Sequence, residues 1–245
     1  MSLSDLPAVT ASQMREIDRL AVDEFGIDVV QMVELAGLNL AQSAAALLGG
    51  IDGRRITLLV GPGNNGAGGL VAARQLANRG ADAHVLLALP VGRLCNRARD
   101  ELATLVAMRV PCCVAEWDLS EGEVDELLAG SDLLIDALLG YGSDGPPRGP
   151  IGGLIESAAR SGTPVLSLDL PSGIDPDTGV VDDCALRAAA TMTVALPKRG
   201  LLDERGRECS GRLYLADIGL PAALYQRAGL TFKDPFVGGP IVCLD

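Results

Sequence analysis

Residues Val60 to Leu70 read VGPGNNGAGGL, with five glycines in eleven positions. The apolar run ITLLV precedes this stretch and VAARQLANRG follows it, the order strand, glycine-rich connection, helix. Glycine lets backbone N–H groups turn toward a ligand, and the N-terminus of the following helix favours a phosphate. Gly63, Gly66 and Gly68 do not fit G-x-G-x-x-G, and no Lys-Ser/Thr pair follows to make a P-loop. Two readings stand: a nucleotide-phosphate loop, or a tight strand–helix junction. Asn64 and Asn65 favour the first, because amide side chains place donors and acceptors at the tip of the connection.

Outward from there the alternation repeats. Short β-rich runs are RITLLVG, AHVLLAL, CCVAEW, DLLIDAL, PVLSLDL, ATMTVAL and RLYLADI. Helical segments lie between most of them: GGLVAARQLANRG, NRARDELATLVAM, GEVDELLAG and GGLIESAARSG. Two helices precede the alternation. The first is capped at Thr10 or Ser12, carries Met14, Ile17, Ala21 and Phe25 on one face, and stops at Gly26. Strands apolar almost throughout are covered on both faces, which predicts a mostly parallel central sheet. The class is α/β: a three-layer αβα sandwich, Rossmann-like, with residues 1–245 as a single domain.

Composition narrows the partners. The chain has 245 residues and 48% hydrophobic residues, so it can bury a full core. A net charge of −12 argues against nucleic acid or an anionic membrane surface. No apolar window approaches the roughly 20 residues that span a bilayer. Six cysteines without C-x-x-C spacing, one histidine and no basic-then-apolar leader fit a cytoplasmic protein with reduced thiols and no zinc site. His84, inside AHVLLAL, and the single tryptophan, Trp117, read as packing residues.

In an open α/β sheet, ligands bind outside the carboxyl ends of the strands. Three segments rich in Gly, Pro or Asp fall there: GPGNNGAGG, DALLGYGSDGPPRG and DLPSGIDPDTG. Asp136 and Asp169 each end an apolar run and need a cation or donors. With the Asn65 amide oxygen and Ser172 they form an oxygen-only set, which suits a hard cation. Arg148 reads as a surface residue able to reach a phosphate.

The order and spacing of TASQMREIDRLA, MVELAG, GPGNNGAGGLVAARQL, DALLGYG, LDLPSGIDPDTG and ALPKRGLL resemble the NAD(P)H-hydrate epimerases, the YjeF N-terminal domain family. The resemblance covers nearly the whole chain. It implies a Rossmann-like sandwich, a homodimer, and epimerisation at C6 of hydrated NADH or NADPH with a bound potassium ion (K+). It further implies a nucleotide-binding segment at Asn64, Asn65, Gly66, Ala67 and Gly68, and a second substrate segment at Gly140, Tyr141, Gly142, Ser143, Asp144, Gly145 and Pro146. Potassium ligands fall on Asn65, Asp136 and Ser172, and the substrate-contacting aspartate on Asp169. Where the family has N-N-x-x-D, this chain ends the motif in Gly68 and lacks that carboxylate; Asp144 stands where relatives carry a basic or small polar residue.

Inversion at C6 requires the hydroxyl to leave and return, or the ring to open and close there, and either route moves a proton. Asp169 is the candidate. The alternative reading, a noncatalytic nucleotide-binding or scaffold member, rests on Gly68.

Overall fold

The structure is a computed structural model that describes residues 5–143, 145–183 and 185–244. Asp144 and Cys184 therefore lie outside the described residues. One eight-stranded sheet runs through the chain in the order β3-β2-β1-β4-β5-β6-β7-β8. Its strands are β1 (Arg55–Val60), β2 (Asp82–Leu87), β3 (Cys112–Val114), β4 (Leu133–Ala137), β5 (Val165–Leu168), β6 (Ala190–Val194), β7 (Arg212–Ala216) and β8 (Ile241–Leu244). Neighbours from β3 to β7 pair in parallel, whereas β8 lies antiparallel on β7.

The principal helices are α1 (Ala11–Asp23), α2 (Val29–Leu48), α3 (Asn64–Ala77), α4 (Asn96–Ala107), α5 (Glu121–Ala129) and α6 (Pro150–Ser161). Two short ones follow, α7 (Glu204–Ser210) and α8 (Ala222–Arg227). Side chains alternate across β1: Ile56, Leu58 and Val60 pack under α2, α3 and α4, while Leu59 faces α5 and α6. The sheet thus has helices on both faces, the expected three layers. Helix starts are fixed by side chains. Thr10 with Gln13, Asp28 with Gln31, and Ser120 with Glu123 form capping boxes at α1, α2 and α5.

The glycine-rich stretch is less of a loop than the sequence suggested. α3 begins at Asn64, so the two asparagines occupy its first turn and Gly66, Gly68 and Gly69 are helical. Packing explains the glycines. A Cβ on Gly66 would stand 2.0 Å from the Gly61 carbonyl oxygen, and one on Gly69 would stand 2.5 Å from the Ala137 Cβ. On the outer side, Gly37 of α2 lets that helix approach Val71 and the Gly68 carbonyl. The tight-junction reading is the one that packing bears out: the glycines permit the close approach, and the junction aims the α3 N-terminus at the strand ends.

β8, α7 and α8 were absent from the sequence reading. Each is too short to show a period, and β8 keeps much of its surface half-buried. Trp117 corrects a second expectation: it is 74% exposed at the turn after β3. His84 sits in β2 with its Nε2 3.0 Å from Asp82. Among the described residues no helix is long and apolar enough to cross a membrane.

The junction can be tested directly. Gly66→Ala is expected to cost about 1–3 kcal/mol, because the new methyl meets rigid backbone. Gly63→Ala has open space at its Cβ and should be close to neutral. Chemical denaturation of both variants reads the difference.

Candidate functional site

The strand order reverses between β1 and β4, because β2 and β3 extend the sheet on one side and β4 to β8 on the other. That is the switch point at which doubly wound sheets bind ligands. A cavity of about 390 Å³ opens there. Its wall combines the turn after β1 and the start of α3 (Gly63, Asn64, Asn65, Gly68), the turn after β4 (Gly140, Tyr141, Gly142, Ser143), and Asp169 after β5. The three segments expected to converge do so. Gly66 and Ala67 are buried beneath the wall instead, and Gly145 and Pro146 lie outside it, exposed to solvent, as does Arg148.

Asp136 is the fourth residue of β4, flanked in register by Leu59 and Ser167, and is 0% exposed. Four donors meet its carboxylate: Ser172 Oγ at 2.6 Å, Ser172 N at 2.8 Å, Ser167 Oγ at 2.9 Å and Leu138 N at 3.2 Å. Burial pushes its carboxyl above the usual range, opposed by the Ser172 hydrogen bonds. Among the described residues no lysine or arginine pairs with it.

Asn65 reaches this cluster through the backbone of Leu139. Its Nδ2 donates to the Leu139 carbonyl at 3.0 Å, and the Leu139 N–H donates to Ser172 Oγ at 3.0 Å. The Asn65 side chain also borders Gly140, where a Cβ would stand 3.2 Å from the amide oxygen. The buried Asp136 carboxylate, the Ser172 hydroxyl on it and the Asn65 amide are oxygen donors, a chemistry that suits a hard cation. Among the described residues no group of three or more His, Cys, Asp and Glu side chains is placed to hold a metal ion.

Asp169, which borders Gly140 together with Asn65, has a cationic partner of its own. Its Oδ1 forms an ion pair with Lys198 Nζ, and its Oδ2 accepts from Tyr141 N at 2.8 Å. The residue holds a left-handed backbone, φ 71°, a conformation aspartate tolerates better than most. It is 3% exposed and Lys198 is 0% exposed. The ammonium also donates to the Val194 carbonyl at 2.8 Å and to Thr193 Oγ1 at 3.3 Å, and stands 5.7 Å from the centre of the Tyr141 ring.

Sequence reasoning missed Lys198, although ALPKRGLL contributed to the family resemblance. A lysine after an apolar strand gives no sign that it turns inward. Asp18 was also missed: it lines the cavity and accepts from the Tyr141 hydroxyl. A signal existed there, because Asp18 follows Met14 by four residues and so shares the helix face that Met14 buries.

Comparison with known proteins places the chain. The family profile described as "YjeF-related protein N-terminus" matches residues 29–200. The chain belongs to this family. It is 38% identical over 238 residues to a protein named NAD(P)H-hydrate epimerase from Dehalogenimonas lykanthroporepellens, covering 96% of this chain and 92% of that one. It is 36% identical to the bifunctional NAD(P)H-hydrate repair enzyme Nnr of Thermofilum pendens over 91% of its own length, and spans 42% of that longer protein. The crystal structure of yeast ynu0 (YNL200c) superposes with a TM-score of 0.84 at 25% identity, covering 98% of this chain and 100% of that one.

The Asp169–Lys198 pair should behave as a unit. Lys198→Met alone leaves a buried carboxylate without its cation and is expected to cost about 3–5 kcal/mol. Adding Asp169→Asn should recover part of that loss. A double-mutant cycle by urea denaturation measures the coupling.

Proposed function

We propose that this protein epimerises hydrated NADH or NADPH at C6 of the nicotinamide ring, interconverting the R and S forms in nicotinamide nucleotide repair. The supporting observation is the position of Asp169, an aspartate paired with a buried lysine on the wall of the switch-point cavity. The similarity to proteins named NAD(P)H-hydrate epimerase points to the same reaction. The uncapped N-terminus of α3, with Asn64 and Asn65 in its first turn, suits the nucleotide phosphates. Tyr141 and Gly140 would border the ring, and Asp169 would move the proton that hydroxyl departure and return require.

Asn65, Asp136 and Ser172 would hold a potassium ion. Bound there, it supplies the positive charge that the buried Asp136 carboxylate lacks among the described residues. The unbridged thiols Cys95, Cys112, Cys113 and Cys209 suit a cytoplasmic setting, and a homodimer belongs to the same reading.

A second reading is favoured by Gly68, which puts no carboxylate on the cavity wall: a binding member of the family without catalysis. A Cβ there would meet only the Leu168 Cδ2, at 3.0 Å, so Gly68→Asp can be accommodated by a flexible side chain. On the epimerase reading the natural chain is already active and Gly68→Asp changes kcat/KM by less than about tenfold, within roughly 1.4 kcal/mol. A natural chain with no activity and an active Gly68→Asp variant would establish the binding reading instead.

The assay follows consumption of the R hydrate by an S-specific dehydratase added in excess. Asp169→Asn should lower the rate by about 100-fold or more.

The cation is tested by stability. Because burial raises the Asp136 carboxyl, the folded state binds this proton more tightly than the unfolded chain. Stability from this group is complete below the ordinary carboxylate range and is lost as pH rises through the raised folded value. Potassium chloride should therefore raise Tm above that in tetramethylammonium chloride of equal ionic strength at neutral pH, with the difference vanishing in acid. Equal Tm values at neutral pH would remove potassium from the proposal.

A further inference from the structure

Among the described residues two carboxylates line the cavity wall, Asp169 and Asp18 of α1. A single residue joins them: Tyr141 donates its N–H to Asp169 Oδ2 at 2.8 Å and its hydroxyl to Asp18 Oδ2. The two acids thus stand one tyrosine side chain apart, across a space that the proposed substrate ring would enter. Their surroundings differ. Asp169 faces the Lys198 ammonium, whereas burial pushes the Asp18 carboxyl above its usual range, opposed by the Tyr141 hydrogen bond. The titratable and charged groups facing Asp18 are Tyr141, Lys198 and Asp169, with Tyr225 of α8 behind and Arg15 one turn earlier on α1. Burial and the neighbouring Asp18 hold the Tyr141 phenol protonated, so it acts as a donor to Asp18.

We propose that Asp18 is the second catalytic carboxylate of this site, exchanging a proton with the C6 hydroxyl while Asp169 exchanges one with water on the opposite face of the ring. The inference rests on the epimerase reading and assigns its acid–base pair. In one direction Asp18 gives its proton to the C6 hydroxyl. The C6–O bond breaks, its electron pair leaves with the departing water, and the ring-nitrogen lone pair forms a C6–N double bond. Water then adds to the flattened C6 from the other face. A new C6–O bond forms, the double-bond pair returns to nitrogen, and Asp169 takes the surplus proton. One water has left, one has entered, and one proton has passed from Asp18 to Asp169. No oxidant or reductant is needed. In the reverse direction the two carboxylates exchange roles, and proton exchange with solvent resets them. Two carboxylates in unlike surroundings, Asp18 pushed up by burial and Asp169 set against the Lys198 ammonium, are the arrangement that such a division of roles requires.

The isosteric Asp18→Asn variant keeps an oxygen for the Tyr141 hydroxyl but cannot exchange the proton, which separates proton transfer from anchoring. With the R hydrate of NADPH as substrate, kcat is expected to fall about 100-fold or more while KM stays within about threefold. The alkaline limb of the kcat/KM profile, where the Asp18 proton is lost, should disappear. Asp18→Ala gives an independent readout: added formate should restore kcat by about tenfold or more, the size expected of a partial proton-transfer contribution. An Asp18→Asn variant within threefold of the natural kcat, or an unchanged alkaline limb, or no rescue by formate in a folded Asp18→Ala protein, overturns the role of Asp18 and leaves the epimerase reading standing. A natural protein that does not turn over the R hydrate overturns both.

Discussion

The site depends on a carboxylate that never meets water. Asp136 stands inside the sheet, and its charge is met by two serine hydroxyls and two backbone N–H groups. Leaving any of these donors unmatched in the interior would cost about 1–3 kcal/mol. The carboxylate therefore fixes where β5 ends, how the chain turns through Ser172, and how the β4 turn begins at Leu138. Those turns carry the residues that face the cavity. The same network explains why the cavity lies at the carboxyl ends of β1 and β4.

The close approach of α3 is the second constraint. A helix starting directly after β1 reaches the crevice only if its first turns can touch the strand ends, and Gly61, Gly66 and Gly69 make that contact possible. Glycine in a helix interior costs up to about 1 kcal/mol relative to alanine, so a run of them demands a structural reason. Here the reason is distance. The helix is set deep enough for Asn64 and Asn65 of its first turn to line the cavity, while Leu70, Val71 and Leu76 hold it in the core.

Much of this was legible in the residues. The alternation of apolar runs with helical segments identified the layered sheet, and Asp136 and Asp169, each polar at the end of an apolar strand, marked the crevice. The legible acids were those that break a strong local pattern. Lys198 breaks none: its ammonium is drawn inward by Asp169, nearly thirty positions earlier, and such a pairing exists only after folding. The ion pair that Lys198 makes with Asp169 was invisible in the sequence for the same reason. The glycine-rich stretch was ambiguous because glycine serves a bend and a tight contact equally well, and only the register of β1, α3 and β4 decides between them. β8 escaped notice because four residues cannot establish a period.

Leu139 shows how such a site can drift in sequence while keeping its shape. Its carbonyl accepts from Asn65 and its N–H donates to Ser172, so the backbone of one residue couples the three turns. Evolution can exchange the leucine for another side chain and leave both contacts intact, proline excepted, because that residue has no N–H to give. The two flanking partners have no such latitude, since their contribution is made by side-chain atoms. Variation among relatives should thus be permissive at the centre of this bridge and restrictive at its ends, although Leu139 and Asn65 are alike half-buried.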